Sequence, residues 1–121
     1  MIRVKRLFKS FKYAISGLVR IFKEEQNLQI QGFIGVLALI LSVYFKIDKI
    51  EFLLIVFSIG LVFLMETINS AVERVADVLR PRINNYVKEI KDITAAAVML
   101  SSIISLIIGI SIFWPYLLGL F

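Results

Sequence analysis

The sequence predicts an all-α membrane protein with three transmembrane helices, preceded by an amphipathic helix on the membrane surface. Three observations lead there. The 121 residues are 60% hydrophobic, with a mean hydropathy of +0.90, whereas an ordinary soluble domain is roughly 45–50% apolar. Charge-free stretches of membrane-spanning length recur along the chain. The first 25 residues instead interleave basic and apolar side chains at helical spacing.

In the amino-terminal segment, Val4, Leu7, Phe8, Phe11, Ala14, Ile15, Leu18 and Phe22 recur at three- and four-residue steps. Arg3, Lys5, Arg6, Lys9, Lys12, Arg20 and Lys23 fill the intervals. This is the pattern of a basic helix lying in the membrane interface. A signal peptide places its charge ahead of one apolar block, so the segment is expected to stay in the mature protein.

Gln26 to Phe45 gives 20 residues without a formal charge, the first part made polar by Asn27, Gln29 and Gln31. Its hydrocarbon portion therefore starts near Gly32. Phe52 to Met65 gives 14 uncharged residues and the helical pattern continues past Glu66, so the second span carries polar residues at its end. Ile93 to Phe121 gives 29 uncharged residues. A crossing takes about 20 mostly apolar residues. The spans are expected at about 28–47, 51–79 and 93–119, within a single domain over residues 1–121. Pro81 is expected to end the second helix, since proline removes a helical hydrogen bond and clashes with the preceding turn.

The 14 Lys and Arg divide as seven before the first span, two (Lys46, Lys49) between the first and second, and five (Arg74, Arg80, Arg82, Lys88, Lys91) between the second and third. The positive-inside rule then places the amino terminus and the 74–92 stretch in the cytoplasm, and the Lys46–Glu51 turn and carboxyl terminus outside. The net charge of +5 is not spread along a polar groove, so nucleic acid is not an expected partner. The absence of Cys and His excludes disulfides, Cys/His zinc sites and Ser-His-Asp triads. Chemistry falls to carboxylates, amides, hydroxyls, Lys and Arg.

Glu66, Asn69, Glu73 and Asp77 are spaced by three, four and four residues and line one helical face. At about 1.5 Å per residue, Glu66 and Glu73 lie roughly 10 Å apart along the axis, which suits two tasks better than one paired-carboxylate site. Glu66 directly follows an apolar run, where a carboxylate is costly unless it faces protein or water. That position suits a proton acceptor. Glu73 and Asp77, nearer water, suit a divalent cation bound through oxygen. Two further clusters, Glu24-Glu25-Gln26-Asn27 and Lys88/Lys91/Asp92, fall at the same membrane depth. The plainer alternatives are solvated carboxylates paired with Arg74 or Lys91, and positive-inside anchoring for Lys91. Together the three clusters form a surface pocket suited to a Mg-nucleotide. No Gly-x-x-x-x-Gly-Lys-Ser/Thr loop or protein-kinase signature is present, so phosphate would be cradled by metal, Lys and Arg.

Glu66-Thr67-Ile68-Asn69-Ser70-Ala71-Val72-Glu73-Arg74-Val75-Ala76-Asp77 resembles the signature of the prokaryotic diacylglycerol kinase family, E-x-x-N-[ST]-A-[IV]-E-x-x-x-D. Lys91-Asp92-Ile93-Thr94-Ala95-Ala96-Ala97-Val98 is similar to its K-D-x-x-x-x-A-V motif, and Glu25-Gln26-Asn27-Leu28-Gln29-Ile30 to its E-x-N-F-x-[IV] element. The resemblance covers nearly the whole chain. It implies a homotrimer of three-span subunits in the bacterial inner membrane, transferring the γ-phosphoryl group of ATP to a lipid alcohol, either diacylglycerol or undecaprenol. It further implies Glu66 as general base with Asn69 beside it at the lipid, and Mg and ATP on Glu25 and Glu73. Asp77, Lys91 and Asp92 would complete the nucleotide site. Arg6 and Tyr13 align with positions contacting ATP or lipid, and Ala95 with a lipid contact.

The sequence departs from the family at Pro81-Arg82-Ile83-Asn84-Asn85, where P-E-Y-H-P is common, so the nucleotide contacts of the 82–85 loop do not carry over. Gln29 and Leu28 replace a frequent Arg and Phe. The E-x-N element and Phe8-Lys9-Ser10-Phe11 look closer to the undecaprenol kinase branch. Three helices are too few to enclose both a lipid head and a nucleotide, which independently favours an assembly. Ala97, Ser101, Ser105 and Gly109 give the third span a small-residue stripe on which helices can approach closely. A holin-like pore former or small transporter fits the composition equally well, but gives no reason for the Glu66–Asp77 stripe together with Lys91-Asp92.

Overall fold

Four helices follow in chain order in the computed structural model, which describes residues 3–79 and 84–120. They are α1 (Val4–Glu24), α2 (Gln26–Tyr44), α3 (Lys49–Leu79) and α4 (Asn84–Leu118). Three of them, over Gln26–Tyr44, Lys49–Leu79 and Asn85–Leu118, are long and apolar enough to cross a membrane. None of the residues of α1 is buried. Its basic and apolar faces match the expected surface helix.

Helix α3 is the central element, packing extensively on α4, less on α2 and lightly on α1. Its buried face runs through Ile55, Ser58, Val62, Glu66 and Ser70 at steps of three and four. Apolar burial gives helices little reason to associate in lipid, so close packing and polar contacts must do so. Both are present. Gly35 of α2 lies so near α3 that a Cβ there would sit 3.2 Å from Ile59, and Ser105 Oγ of α4 donates to Ser58 O of α3 at 3.0 Å. The small-residue stripe therefore serves, at Ser105, a contact within one chain. Residues of α2, α3 and α4 together line an apolar groove of about 720 Å³. Ile55, Ser58 and Val62 line its α3 side, and Ser105 and Gly109 its α4 side.

The helix ends follow from local chemistry. Helix α2 stops at Tyr44, short of the expected 47, because Lys46 takes φ 51. Lys46 N–H then donates to Val43 O and Ile47 N–H to Ser42 O, at 3.2 and 3.3 Å. These are the two bonds of a Schellman end, here without its usual glycine. Asp48 opens α3 with a capping box: Glu51 N–H donates to Asp48 Oδ1 at 2.8 Å, and Asp48 N–H to Glu51 Oε1 at 3.3 Å. Helix α4 begins at Asn84, well before the apolar stretch at 93, because its polar first turns bury Val87 and continue the helix beyond the span. Pro81, expected to end α3, lies outside the described residues, as do Arg80, Arg82 and Ile83.

Candidate active site

Between α1 and α2 one residue, Glu25, leaves the helical conformation, with φ −101 and ψ 110. Its N–H still donates to Ile21 O at 2.8 Å, and its carbonyl accepts the Gln29 N–H at 3.2 Å, so it closes one helix and opens the next. The last carbonyls of a helix lack intrahelical partners. Here Gln29 Nε2 supplies them, donating to Phe22 O at 3.0 Å and Lys23 O at 3.2 Å. Close by, Phe22 rests on Gly32, where a Cβ would lie 3.2 Å from the ring. The surface helix is thereby fixed against the start of the first apolar helix, with Glu25 at the corner.

Across from this corner, α3 presents the predicted stripe. Glu66 is 8% exposed and Ser70 3%, while Asn69 and Glu73 are half-buried. Ser70 Oγ donates to Glu25 Oε1 at 3.1 Å, and Asn69 Nδ2 to Glu73 Oε1 at 3.3 Å. Glu66 precedes by three and four residues the Asn69 and Ser70 side chains that hold Glu73 and Glu25. Three carboxylates from two parts of the chain therefore share one locality. Asn69 Oδ1 is buried and has no hydrogen-bond partner among the described residues, so the cluster retains an unsatisfied acceptor beside its carboxylates.

The neighbouring cations are paired. Arg74 joins Glu24 at 2.6 Å, binding α3 to the end of α1. Lys91 of α4 joins Asp77 of α3 at 2.5 Å. The predicted residues thus fall into two groups within the chain, Glu25/Glu66/Asn69/Glu73 and Asp77/Lys91. Asp92 and Ala95 are exposed on α4, and Arg6 and Tyr13 are exposed on α1. None of Arg6, Tyr13 and Asp92 makes a side-chain hydrogen bond or ion pair among the described residues.

No group of three or more Asp, Glu, His or Cys among the described residues can hold a metal ion by itself. Magnesium, however, is commonly held by one or two carboxylates together with substrate phosphates. Two acidic side chains with an unsatisfied amide oxygen alongside offer that kind of all-oxygen donor set. Pairing of a stripe carboxylate with Lys91, the plainer alternative, is realised at Asp77, while sequence reasoning missed the contributions of Ser70 and Gln29 and the choice of Glu24 as the partner of Arg74. The spacing carried a signal for Ser70, which stands four residues after Glu66. Nothing in the spacing points to Gln29, whose partners are backbone carbonyls.

Three apolar helices, with one buried and two half-buried carboxylates where a face of α3 leaves its apolar run, suit a membrane-embedded enzyme. A sequence model of the prokaryotic diacylglycerol kinase family matches residues 12–113. The chain is 33% identical to an undecaprenol kinase of Bacillus subtilis over 94% of its own length and 93% of that protein's. It is 27% identical to a diacylglycerol kinase of Escherichia coli, covering 92% of this chain and 91% of that one. Similarity to a Haemophilus influenzae diacylglycerol kinase is 32% identity over 78% of this chain and 80% of the relative. The chain belongs to the prokaryotic diacylglycerol kinase family, and it is a lipid kinase of a bacterial membrane. This sets aside the pore-former and transporter alternatives.

Proposed function

We propose that the protein transfers the γ-phosphoryl group of ATP to the hydroxyl of a membrane lipid alcohol, diacylglycerol or undecaprenol. The observation that carries this reading is the buried Glu66, with Glu25 and Glu73 brought close to it from the α1–α2 corner and from the next turns of α3. Phosphoryl transfer requires positioning, charge neutralisation and a proton acceptor more than covalent chemistry by the protein.

Glu66 accepts the proton of the lipid hydroxyl, and its low exposure keeps competing water away. Asn69 orients that hydroxyl by donating to its oxygen through the second N–H of its amide, the first being given to Glu73. Glu25 and Glu73 hold Mg, which when bound neutralises phosphate charge in the transition state. Lys91, Asp77 and Asp92 engage the nucleotide. Arg6, Tyr13 and Ala95, not engaged within one protomer, meet ATP or lipid at a site shared between subunits of a homotrimer. The apolar groove, whose Val62 is one helical turn from Glu66, accommodates the lipid tail.

The amino terminus and the 74–92 region face the cytoplasm of the inner membrane, and the carboxyl terminus faces outward; the Lys and Arg distribution supports this orientation. The test is ATP consumption by the purified protein in detergent, with diacylglycerol and undecaprenol offered separately and with no lipid. Lipid-dependent ADP release with either alcohol is the expected result, and the ratio of the two rates assigns the preferred lipid. Absence of lipid-dependent turnover with both would overturn the reading.

A further inference from the structure

We propose that Ser70 is a positioning residue whose hydroxyl holds the Glu25 carboxylate in the orientation that binds a divalent cation. The inference rests on the metal role given to Glu25 above. Its support is the behaviour of hydroxyl groups in these helices. A serine or threonine inside a helix ordinarily bonds back to a carbonyl of its own preceding turn. Ser42, Ser58, Thr67, Thr94 and Ser101 all do so, to Ala38, Ile55, Phe63, Ile90 and Val98 among others. Ser105 reaches across to a backbone carbonyl of α3, whereas Ser70, though 3% exposed, spans 45 residues of sequence to reach a side chain, Glu25 Oε1, at 3.1 Å.

A bond to an ionised carboxylate is roughly twice as strong as a neutral one, which favours the longer reach over the local carbonyl. The adjacent residue completes a pattern. Asn69 donates to Glu73 Oε1, so two consecutive side chains of α3 each direct one of the two proposed metal ligands. Glu25 in particular needs such a constraint, because its backbone is the sole non-helical residue between α1 and α2 and no helix fixes the direction of its side chain. Groups that hydrogen-bond to metal ligands typically contribute 10- to 100-fold to metal affinity.

The experiment compares the full-length protein with Ser70→Ala, Ser70→Cys, Ser70→Thr and Glu25→Gln. Binding of Mn²⁺ in the presence of a non-hydrolysable ATP analogue is followed by electron paramagnetic resonance, alongside kcat and KM. Ser70→Ala is expected to weaken Mn²⁺ binding about ten-fold and to raise the KM for Mg-ATP, leaving the KM for lipid unchanged. Ser70→Cys keeps the volume but has only a weak donor, so it reports the same loss if the alanine variant does not fold. Ser70→Thr, which retains the hydroxyl, should recover most of the affinity. Wild-type Mn²⁺ binding in Ser70→Ala or Ser70→Cys, with binding lost in Glu25→Gln, overturns the positioning role and leaves the metal role standing. Wild-type binding in Glu25→Gln overturns the metal role, and the inference with it.

Discussion

The Tyr116 hydroxyl, near the end of α4, donates a 2.6 Å hydrogen bond to Glu51 Oε1 in the first turn of α3. That oxygen also accepts the Asp48 N–H within the capping box. The cap of one apolar helix is thus fastened to the far end of another, beside the packed rings of Phe45 and Phe113. This end of the molecule is remote from Glu66 and gives a clean contrast to it.

Tyr116→Phe removes the donor and keeps the ring. The thermal unfolding midpoint in detergent should fall by a few degrees, with lipid kinase turnover unchanged. A large loss of turnover at constant stability would place this clasp in the catalytic cycle, contrary to expectation.

Lys46→Gly should stabilise the protein. A non-glycine residue in the left-handed region costs about 1 kcal/mol, and the Schellman end at Lys46 is where helices most often use glycine. Denaturant titration of the purified protein measures the gain. Any destabilisation would mean that the lysine side chain contributes more than its backbone costs.

Gly35→Val tests the α2–α3 approach. Even a Cβ at this position meets the Ile59 side chain at 3.2 Å, so the branched side chain must displace Ile59 or α2 itself. Overpacking of this kind typically costs about 1–3 kcal/mol. Unfolding measurements on matched samples should show that loss.

Glu66→Gln keeps shape and removes the proton acceptor. Turnover should drop by roughly 10²–10⁴-fold, while nucleotide binding measured by calorimetry survives. Substantial kinase activity in a well-folded Glu66→Gln protein is incompatible with its role as base.

Lys91→Met separates support from chemistry. The Lys91–Asp77 pair is substantially solvent-exposed, with side chains 32% and 59% accessible, and such pairs contribute less than about 1 kcal/mol. Stability should therefore hardly change. If Lys91 also binds phosphate, the apparent affinity for Mg-ATP should fall about ten-fold or more. Equal, small effects on both would confine it to the ion pair.

The spans were legible because charge-free runs of the right length admit little else in a chain this apolar. The turn from the surface helix into the first span was legible at Glu24–Asn27, where the basic-apolar pattern gives way to an uncharged run; that Glu25 alone leaves the helix was not, since Glu24, Glu25 and Gln26 are all good helix formers. What breaks the helix is tertiary: α1 turns off the axis of α2 and packs against both α2 and α3, and the Gln29 amide compensates for the carbonyls left open. The face carrying Glu66, Asn69, Glu73 and Asp77 was readable from its spacing. How its members divide was not, because periodicity cannot say that Asn69 turns along the helix to Glu73 while Asp77 pairs across to Lys91. The Asp48-x-x-Glu51 spacing did carry a capping-box signal, whereas Tyr116 as a third participant, 65 residues beyond Glu51, could come only from the fold.

The single extended residue between α1 and α2 also has a mechanical meaning. At about 1.5 Å per residue, Tyr13 stands roughly 18 Å and Arg6 roughly 28 Å along α1 from Glu25. The contacts that fix α1 all lie at its carboxyl end, Phe22 on Gly32 and Glu24 on Arg74, so the direction set at the corner determines the position of Arg6 more strongly than that of Tyr13. One residue's backbone angles thus aim the whole surface helix, as a mount aims the rod it carries.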